Sequence, residues 1–302
     1  MMAAFFRFLF LLFLLQAPCA WCGTVALVLS DYSKPYLDFQ KALSDSLNEG
    51  GWKTVNIPIE SASQAATSGD IVVAAGSEAL RKMLTVSTNT PVLATLIPRQ
   101  AYERLIAENA PIAVRKLGVI HLDQPFPRQA AFVKNLLPDI KRLGILISPE
   151  TKGTLPRLRQ LFAARGITLE AEEADSESAM LSALSGLLSR TDALLAIPDS
   201  NIYRRGNIKA ILITAFRHQK PLVGYSDAFT QAGALASLYS TPAQIGKQAA
   251  NSILASPAAV LQASSPQQFT LSINYNVAQS LAIRVGEESG IRQQLLSEVE
   301  AR

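Results

Sequence analysis

Residues 192–247 combine three short apolar runs with a segment of helix length, and this alternation constrains the fold more than any other feature of the sequence. The apolar runs lie at 193–197, 221–224 and 234–238. Between the first two, residues 206–219 carry apolar side chains at the spacing of one helical face. The order strand, helix, strand, strand predicts an open α/β sheet.

The first two apolar runs each end abruptly in polar residues. Residues 198–201 read Pro-Asp-Ser-Asn after the first run, and residues 225–227 read Tyr-Ser-Asp after the second. In open α/β sheets, ligands bind in the crevice outside the carboxyl ends of the strands. The two polar ends therefore predict part of a small-molecule site.

The rest of the chain repeats the same alternation. One βαβ series extends from residue 24 to about 120, and a second from about 121 to 238. Continuous apolar runs such as 24–29 are typical of strands buried on both faces. The pattern predicts an α/β protein with two Rossmann-like, parallel-sheet lobes. The segments after residue 238 form no series of their own, so we expect them to return to the two lobes across a multi-strand hinge.

The N-terminal segment has the layout of a secretory signal peptide. Residues 1–7 carry one positive charge, residues 8–15 are uniformly apolar, and small residues follow up to Gly23. The apolar run is shorter than the ~20 residues of a transmembrane helix. We therefore predict a signal peptide at residues 1–22 and a periplasmic mature protein.

Both cysteines, Cys19 and Cys22, lie in this N-terminal segment. A Cys-x-x-Cys spacing can indicate a redox or metal site, but here no βαβ pattern adjoins it. The preceding residues fit a lipoprotein signal poorly, so no lipid anchor is expected. The mature chain is expected to fold on its apolar core without disulfides.

Composition argues against several functional classes. The chain has 302 residues, a net charge of +4 and scattered Lys and Arg residues, so no nucleic-acid groove is indicated. Its two histidines are His121 and His218, and the sequence has no nucleophile elbow, phosphate loop, dinucleotide fingerprint or His-x-x-x-His pair. We expect no enzymatic activity, no catalytic residue, no cofactor and no metal. A hydrolase ranks last among the functions considered.

Several blocks of the sequence resemble one family in the same order. LDQPFPRQAAFVKNLLPDIKRLGILISPE at 122–150 is similar to the start of the second lobe in the ABC-transporter substrate-binding family that includes tryptophan and tyrosine binders. DALLAIPDSN, KPLVGYSDAFTQAGALASLYSTPAQIGKQAA and FTLSINYNVAQSLAI resemble its later blocks. The similarity is strongest over residues 122–283, and it implies the fold of a type I periplasmic binding protein.

The chain departs from the family pattern at two strand ends. Members commonly have an Asp-Pro turn after the fourth strand of the first lobe, where residues 96–99 here read Leu-Ile-Pro-Arg. Where members have Asp-Asn after a second-lobe strand, this chain has Asp199-Ser200-Asn201. The ligand's identity therefore does not carry over from the family.

The resemblance implies a division of the chain and a function. We expect one lobe from residues 24–119 plus 240–268 and the other from 120–239 plus 269–302. The implied function is the extracytoplasmic solute-binding component of an ABC-type importer, a monomer that closes on a small polar or amino-acid-like ligand and delivers it to a membrane permease. The alternative is a periplasmic sensing module that signals to a membrane receptor kinase without transport.

The candidate binding residues follow the predicted strands. Helix N-termini suit a ligand carboxylate, Asp side chains can pair with an ammonium group, and Tyr rings can stack on a flat ligand. An Arg at a strand end can take a carboxylate bidentately. Each Ser or Asp could instead cap a helix or stabilise a turn, and Arg99 could be a solvated surface residue. The predicted ligand-binding set is Ser30, Asp31, Tyr32, Gly76, Ser77, Arg99, Asp123, Asp199, Ser200, Tyr225, Ser226 and Asp227.

Overall fold

A computed structural model describes residues 23–109, 116–174 and 177–300 of the chain. The predicted signal peptide and both cysteines lie outside the described residues. The strands are β1 Thr24–Leu29, β2 Lys53–Ile57, β3 Ile71–Ala75, β4 Val92–Ile97, β5 Leu117–His121, β6 Arg142–Ile147, β7 Thr168–Glu173, β8 Ala193–Leu195, β9 Leu222–Gly224, β10 Ala236–Tyr239, β11 Ala263–Ser264 and β12 Thr270–Ile273. No helix in these ranges combines the length and apolar character needed to cross a bilayer.

The helices alternate with these strands as the sequence predicts. They are α1 Lys34–Glu49, α2 Ala62–Ser68, α3 Ser77–Leu84, α4 Arg99–Glu108, α5 Phe126–Leu136, α6 Leu155–Ala163, α7 Glu177–Ser189, α8 Arg205–Arg217, α9 Asp227–Ala232, α10 Pro242–Ala255, α11 Pro257–Val260, α12 Tyr275–Ser280 and α13 Glu288–Glu300. Short 3₁₀ turns precede α2 and α6.

Two six-stranded sheets organise the described chain. The first has the order β11-β5-β4-β3-β1-β2 and the second β12-β10-β9-β8-β6-β7. All pairs are parallel except β10–β12, which is antiparallel. The first lobe is the first sheet with its helices, and the second lobe is the second sheet with its helices. The predicted fold class of two Rossmann-like lobes is confirmed.

Both faces of each sheet are buried, as the uninterrupted apolar strands predict. In β1, Val25 and Leu27 face one core cluster, while Ala26 and Val28 face another on the opposite side of the sheet. β6 of the second lobe divides in the same way, with Ile145 in one cluster and Leu146 in the other. Because helices cover both faces of each sheet, the ends of the strands are the parts of the sheet that remain uncovered.

Helix α10 lies against α1 in the first lobe. A Thr241–Gln244 capping box starts α10, with Pro242 in its first turn. A Cβ atom on Gly246 would lie 2.6 Å from the backbone oxygen of Phe39, so only glycine allows the two helices to approach so closely. The late segment around α10 therefore completes the first lobe's core.

The chain connects the two sheets through segments after β5, after β10 and after β11. Gln124 on the first connection donates from Nε2 to the hydroxyl of Ser240 on the second at 2.6 Å, and that hydroxyl donates to the backbone oxygen of Gln268 on the third at 2.6 Å. Arg128 donates to the side chain of Gln124 at 2.7 Å and to the backbone oxygen of Pro266 at 2.9 Å. These largely buried hydrogen bonds link the connections into one hinge.

Candidate functional site

The carboxyl ends of strands from the two lobes face each other across a cleft. Arg104 on α4 of the first lobe donates to Glu150, after β6, at 3.1 Å and to Ser200, after β8, at 3.4 Å. Since α4 follows β4, these contacts join the carboxyl edges of the two sheets. The cleft lies where ligands bind in open α/β folds.

On the first lobe, the loop after β1 supports the start of α3. The Ser30 hydroxyl accepts a hydrogen bond from the Ala79 backbone N–H at 2.9 Å, so it caps α3 from another element. Gly76 has φ +93°, and a Cβ there would lie 2.4 Å from the Ser30 hydroxyl and 2.5 Å from that of Tyr36. Ser77 is half-buried at the first position of α3. Glycine thus allows two polar loops to converge beside Ser77.

The neighbouring residues Asp31 and Tyr32 are both exposed. Asp31 accepts a hydrogen bond from the Ser33 backbone N–H at 2.7 Å, and hydrogen bonds to Ser33 lower the pKa of Asp31. Tyr32 follows it in the loop after β1 and is 61% exposed.

On the second lobe, Asp199 is buried and holds two loops together. Its Oδ2 atom accepts from the Ser148 backbone N–H at 3.1 Å, the Ser148 hydroxyl at 2.8 Å and the Thr151 hydroxyl at 2.6 Å. Its Oδ1 atom accepts from the backbone N–H groups of Asn201 at 2.9 Å and Ile202 at 3.1 Å. The carboxylate is engaged by five donors from its own lobe.

Ser200 is tied to Glu150 in a similar way. Its backbone N–H and hydroxyl both donate to the Oε2 atom of Glu150, at 3.0 and 2.6 Å. The Glu150 side chain forms the interlobe ion pair with Arg104 and is only 8% exposed. Ser200 therefore positions Glu150.

Tyr225 forms an aromatic wall with Tyr203 and Phe229. The Tyr203–Tyr225 ring centroids are 5.9 Å apart at 78°, and those of Tyr225 and Phe229 are 4.7 Å apart. Burial raises the pKa of Tyr225, and the nearby carboxylates of Asp123, Asp199 and Glu150 raise it further. The half-buried phenol therefore stays neutral and can donate a hydrogen bond within an acidic cleft.

Ser226 and Asp227 begin α9 next to this wall. Ser226 is the N-cap residue and makes no side-chain cap. Asp227 accepts from the Gln231 amide and also interacts with the phenol of Tyr239. Partners within the second lobe thus already engage Asp227.

Asp123 lies between the lobes, on the first hinge connection. Its Oδ2 atom accepts from the Arg99 backbone N–H, whereas its Oδ1 atom is buried and has no hydrogen-bond partner among the described residues. Burial raises the pKa of Asp123 to about 6, an effect that the Arg99 backbone and guanidinium partly oppose. A buried acceptor with no partner is costly unless a donor arrives.

A cavity of about 200 Å³ adjoins this carboxyl. Arg99, Asp123 and Ser265 line it from the first lobe and the hinge, and Ile197 and Pro198 from the second lobe. Arg99 also donates to the Ser265 hydroxyl at 3.4 Å. The cavity therefore lies between the lobes.

His121 lies at the end of β5, close to Asp123 in sequence, and is 2% exposed. Its ring packs edge-on against Tyr102 with centroids 5.4 Å apart. Burial lowers the pKa of His121 to about 4, and the Arg99 charge lowers it further in the same direction. His121 is thus a neutral core residue at neutral pH.

Sequence reasoning missed several residues of the cleft. Ser148, Glu150 and Thr151 follow β6 just as Ser30 follows β1, so the repeat between the two βαβ series was a signal for them. Arg104 had no such signal, because it lies a full turn inside α4.

The comparisons with known proteins agree with this architecture. The sequence profile of the family described as ABC transporter substrate binding protein matches residues 55–293. A comparison with curated proteins finds no match.

Three solved structures share the fold. A Streptococcus pneumonia ABC domain in complex with L-Trp is 18% identical, with a TM-score of 0.63 and coverage of 90% of this chain and 98% of that one. The ligand-free, open substrate binding protein CD0873 from Clostridium difficile has 11% identity, a TM-score of 0.69 and coverages of 88% and 96%. A conserved domain protein from Vibrio cholerae has 19% identity, a TM-score of 0.61 and coverages of 90% and 97%. At these identities the likeness concerns the fold alone. Since the family profile spans most of the chain, this protein belongs to the ABC transporter substrate-binding family.

Proposed function

We propose that the chain is the extracytoplasmic solute-binding component of an ABC-type importer. It captures a small polar or amino-acid-like ligand in the cleft between its lobes, acts without catalysis, and delivers the ligand to a membrane permease. The two lobes comprise residues 24–119 plus 240–268 and residues 120–239 plus 269–302. The placement of β11 in the first sheet and β12 in the second supports this division.

The single observation that carries the ligand assignment is the unpartnered, buried Oδ1 atom of Asp123 at the interlobe cavity. A ligand ammonium group satisfies such an acceptor with a charge-assisted hydrogen bond. The Asp123 carboxylate is one of the nearby charges that raise the pKa of the Tyr225 phenol. Asp123 and Tyr225 together therefore suit a cationic group attached to a flat or apolar body.

We assign the binding of a ligand carboxylate, at the end opposite the ammonium group, to the first lobe. Ser77 and the backbone N–H groups at the start of α3 suit a carboxylate. The Arg99 guanidinium lines the same interlobe cavity as Asp123 and offers a second anion-binding group. Tyr32, highly exposed in the loop after β1, can cover the ligand when the lobes close.

The remaining predicted residues are assigned to supporting roles. Ser30 and Gly76 shape the start of α3, and Asp199 fixes the loops after β6 and β8. Ser200 orients Glu150, and Ser226 and Asp227 begin α9. The side chains of Ser30, Asp199, Ser200 and Asp227 have partners within the chain. We therefore assign the direct contacts to Ser77, Arg99, Asp123 and Tyr225.

Isothermal titration of the purified protein against free L-amino acids and small amines tests the assignment. We expect Asp123→Asn to weaken binding roughly tenfold or more, because a charge-assisted hydrogen bond contributes about 1.5–3 kcal/mol. Asp45→Asn is the matched control, since Asp45 is exposed and pairs with Lys41 on α1. Equal affinity for Asp123→Asn and the wild type would contradict the site.

Uptake by intact cells tests the importer assignment. If the protein serves import, cells that lack it should not take up the radiolabelled compound identified by titration. The alternative sensing role predicts unchanged uptake with loss of a transcriptional response to the same compound.

A further inference from the structure

Helix α8 presents a mixed basic and apolar face to solvent. At 100° per residue, Arg205, Phe216, Lys209, Ile213 and Arg217 fall within an arc of about 120°. All five are exposed, with Ile213 at 42% and Phe216 at 45%. These five residues define the basic apolar face. The opposite side of α8 is buried in the second lobe.

This segment carries a concentrated positive charge. Residues 204–220 contain five Lys and Arg residues and no Asp or Glu, whereas the formal net charge of the whole chain is +4. Within the described part of the chain, no salt bridge joins any of the five cations to a carboxylate. Four of these cations are exposed and Lys220 is half-buried, so most of this positive charge faces solvent.

The described elements beside α8 carry few acidic residues. Helix α7, which packs beside α8, has a single acidic residue at its first position, Glu177, and exposes Leu181 by 41%. Helix α9 contributes Asp227, which is engaged by Gln231. Leu181 is thus a further exposed apolar side chain on a helix that packs beside α8.

We propose that the basic apolar face docks on the surface of an anionic phospholipid bilayer. Lys and Arg side chains bind lipid phosphates, while exposed Ile, Leu and Phe side chains insert at the boundary of the acyl chains. A bilayer can bind both the basic and the apolar side chains, and this binding requires no shape complementarity. An acidic protein surface would need a matching pocket for each protruding apolar side chain. Docking holds the second lobe at the membrane, a role separate from ligand binding in the cleft.

Vesicle co-sedimentation tests this proposal, with the protein recovered after expression of the full 302-residue chain. The vesicles contain either phosphatidylcholine alone or an equal mixture with phosphatidylglycerol, at low and high salt. We expect binding that requires phosphatidylglycerol and weakens with salt. The triple variant Arg205→Glu, Lys209→Glu, Arg217→Glu should bind at least about tenfold more weakly.

The control variant Lys53→Glu, Lys82→Glu, Arg284→Glu makes the same change in net charge at exposed positions elsewhere. It should keep most of the binding. Equal losses in both triple variants would overturn the proposal, because they would indicate a response to net charge alone. The pair Ile213→Ser, Phe216→Ser should weaken binding at constant charge, and no effect would also overturn bilayer insertion.

A second experiment distinguishes a bilayer from an acidic protein as the partner of this face. If the wild type binds immobilised poly-glutamate through α8 but not the anionic vesicles, the bilayer proposal is wrong. Titration of the α8 variants with amino acids should give unchanged cleft affinity. Loss of cleft binding with intact vesicle binding would count against the proposed function and leave the docking surface in place.

Discussion

The Nη1 atom of Arg104 in the first lobe lies 3.1 Å from the Oε1 atom of Glu150 in the second, so an ion pair spans the cleft. Glu150 is almost fully enclosed and is oriented by two hydrogen bonds from Ser200. The pair therefore links closure of the lobes to a loop that Asp199 also fixes through Ser148 and Thr151.

Removing the interlobe ion pair should favour the open arrangement of the lobes. We expect Arg104→Gln to raise the ratio of open to closed molecules by up to about fivefold in the absence of ligand, since partly exposed ion pairs contribute about 0.2–1 kcal/mol. Small-angle X-ray scattering would report this as a larger radius of gyration. Arg81→Gln is the control, because Arg81 pairs with Glu78 and lies near Glu108, both in the first lobe. Identical scattering from Arg104→Gln and the wild type would show that the ion pair does not influence closure.

Asp199 should determine stability more than ligand affinity. Replacing it with Ala leaves the buried hydroxyls of Ser148 and Thr151 without their acceptor, at a cost of about 3 kcal/mol or more. We expect a clear fall in the thermal midpoint for Asp199→Ala and a small change for Asp31→Ala, whose carboxylate makes an exposed local turn. Unchanged stability together with lost ligand binding would assign Asp199 to direct ligand contact instead.

Acidification should change the contributions of Asp123 and His121 to folding stability in opposite directions. The folded pKa of His121 is about 4, below the usual 6.5, so its contribution to stability is lost as pH falls from about 6.5 to 4. The folded pKa of Asp123 is about 6, above the usual 3.8, so its contribution rises as pH falls through the same range. Each effect amounts to roughly 3 kcal/mol, and in the wild type they largely offset each other.

Chemical denaturation at a series of pH values tests this opposition. Asp123→Asn should become less stable on acidification, and His121→Gln should become more stable. The double variant should give a flat profile. Two single variants with the same slope would contradict this electrostatic description.

Ligand affinity should fall as pH drops below about 6. Asp123 binds a ligand cation only while its carboxylate is ionised, and its pKa of about 6 places the transition there. Titration at neutral and at mildly acidic pH measures the change. Asp123→Asn should bind weakly and without this pH dependence. A pH-independent affinity in the wild type would argue that Asp123 is not the cation-binding group.

The sequence alone determined the layers of the fold. The apolar run of β1 required burial on both faces, and the repeated strand–helix spacing required parallel sheets covered by helices. Strand ends also made Asp123 and Tyr225 candidate ligand contacts, because ligands of open α/β sheets bind outside the carboxyl ends of the strands. These features are local, so periodicity and polarity along the chain were sufficient to predict them.

Only the tertiary structure decided which of the polar side chains have partners. Asp199 and Asp123 look alike in sequence, yet the first accepts five hydrogen bonds within its lobe while one oxygen of the second has none among the described residues. The interlobe pair of Arg104 and Glu150, 46 residues apart, also depends on how the two sheets meet. Hydrogen bonding and burial are properties of side chains brought together from distant segments, and local sequence patterns do not specify them.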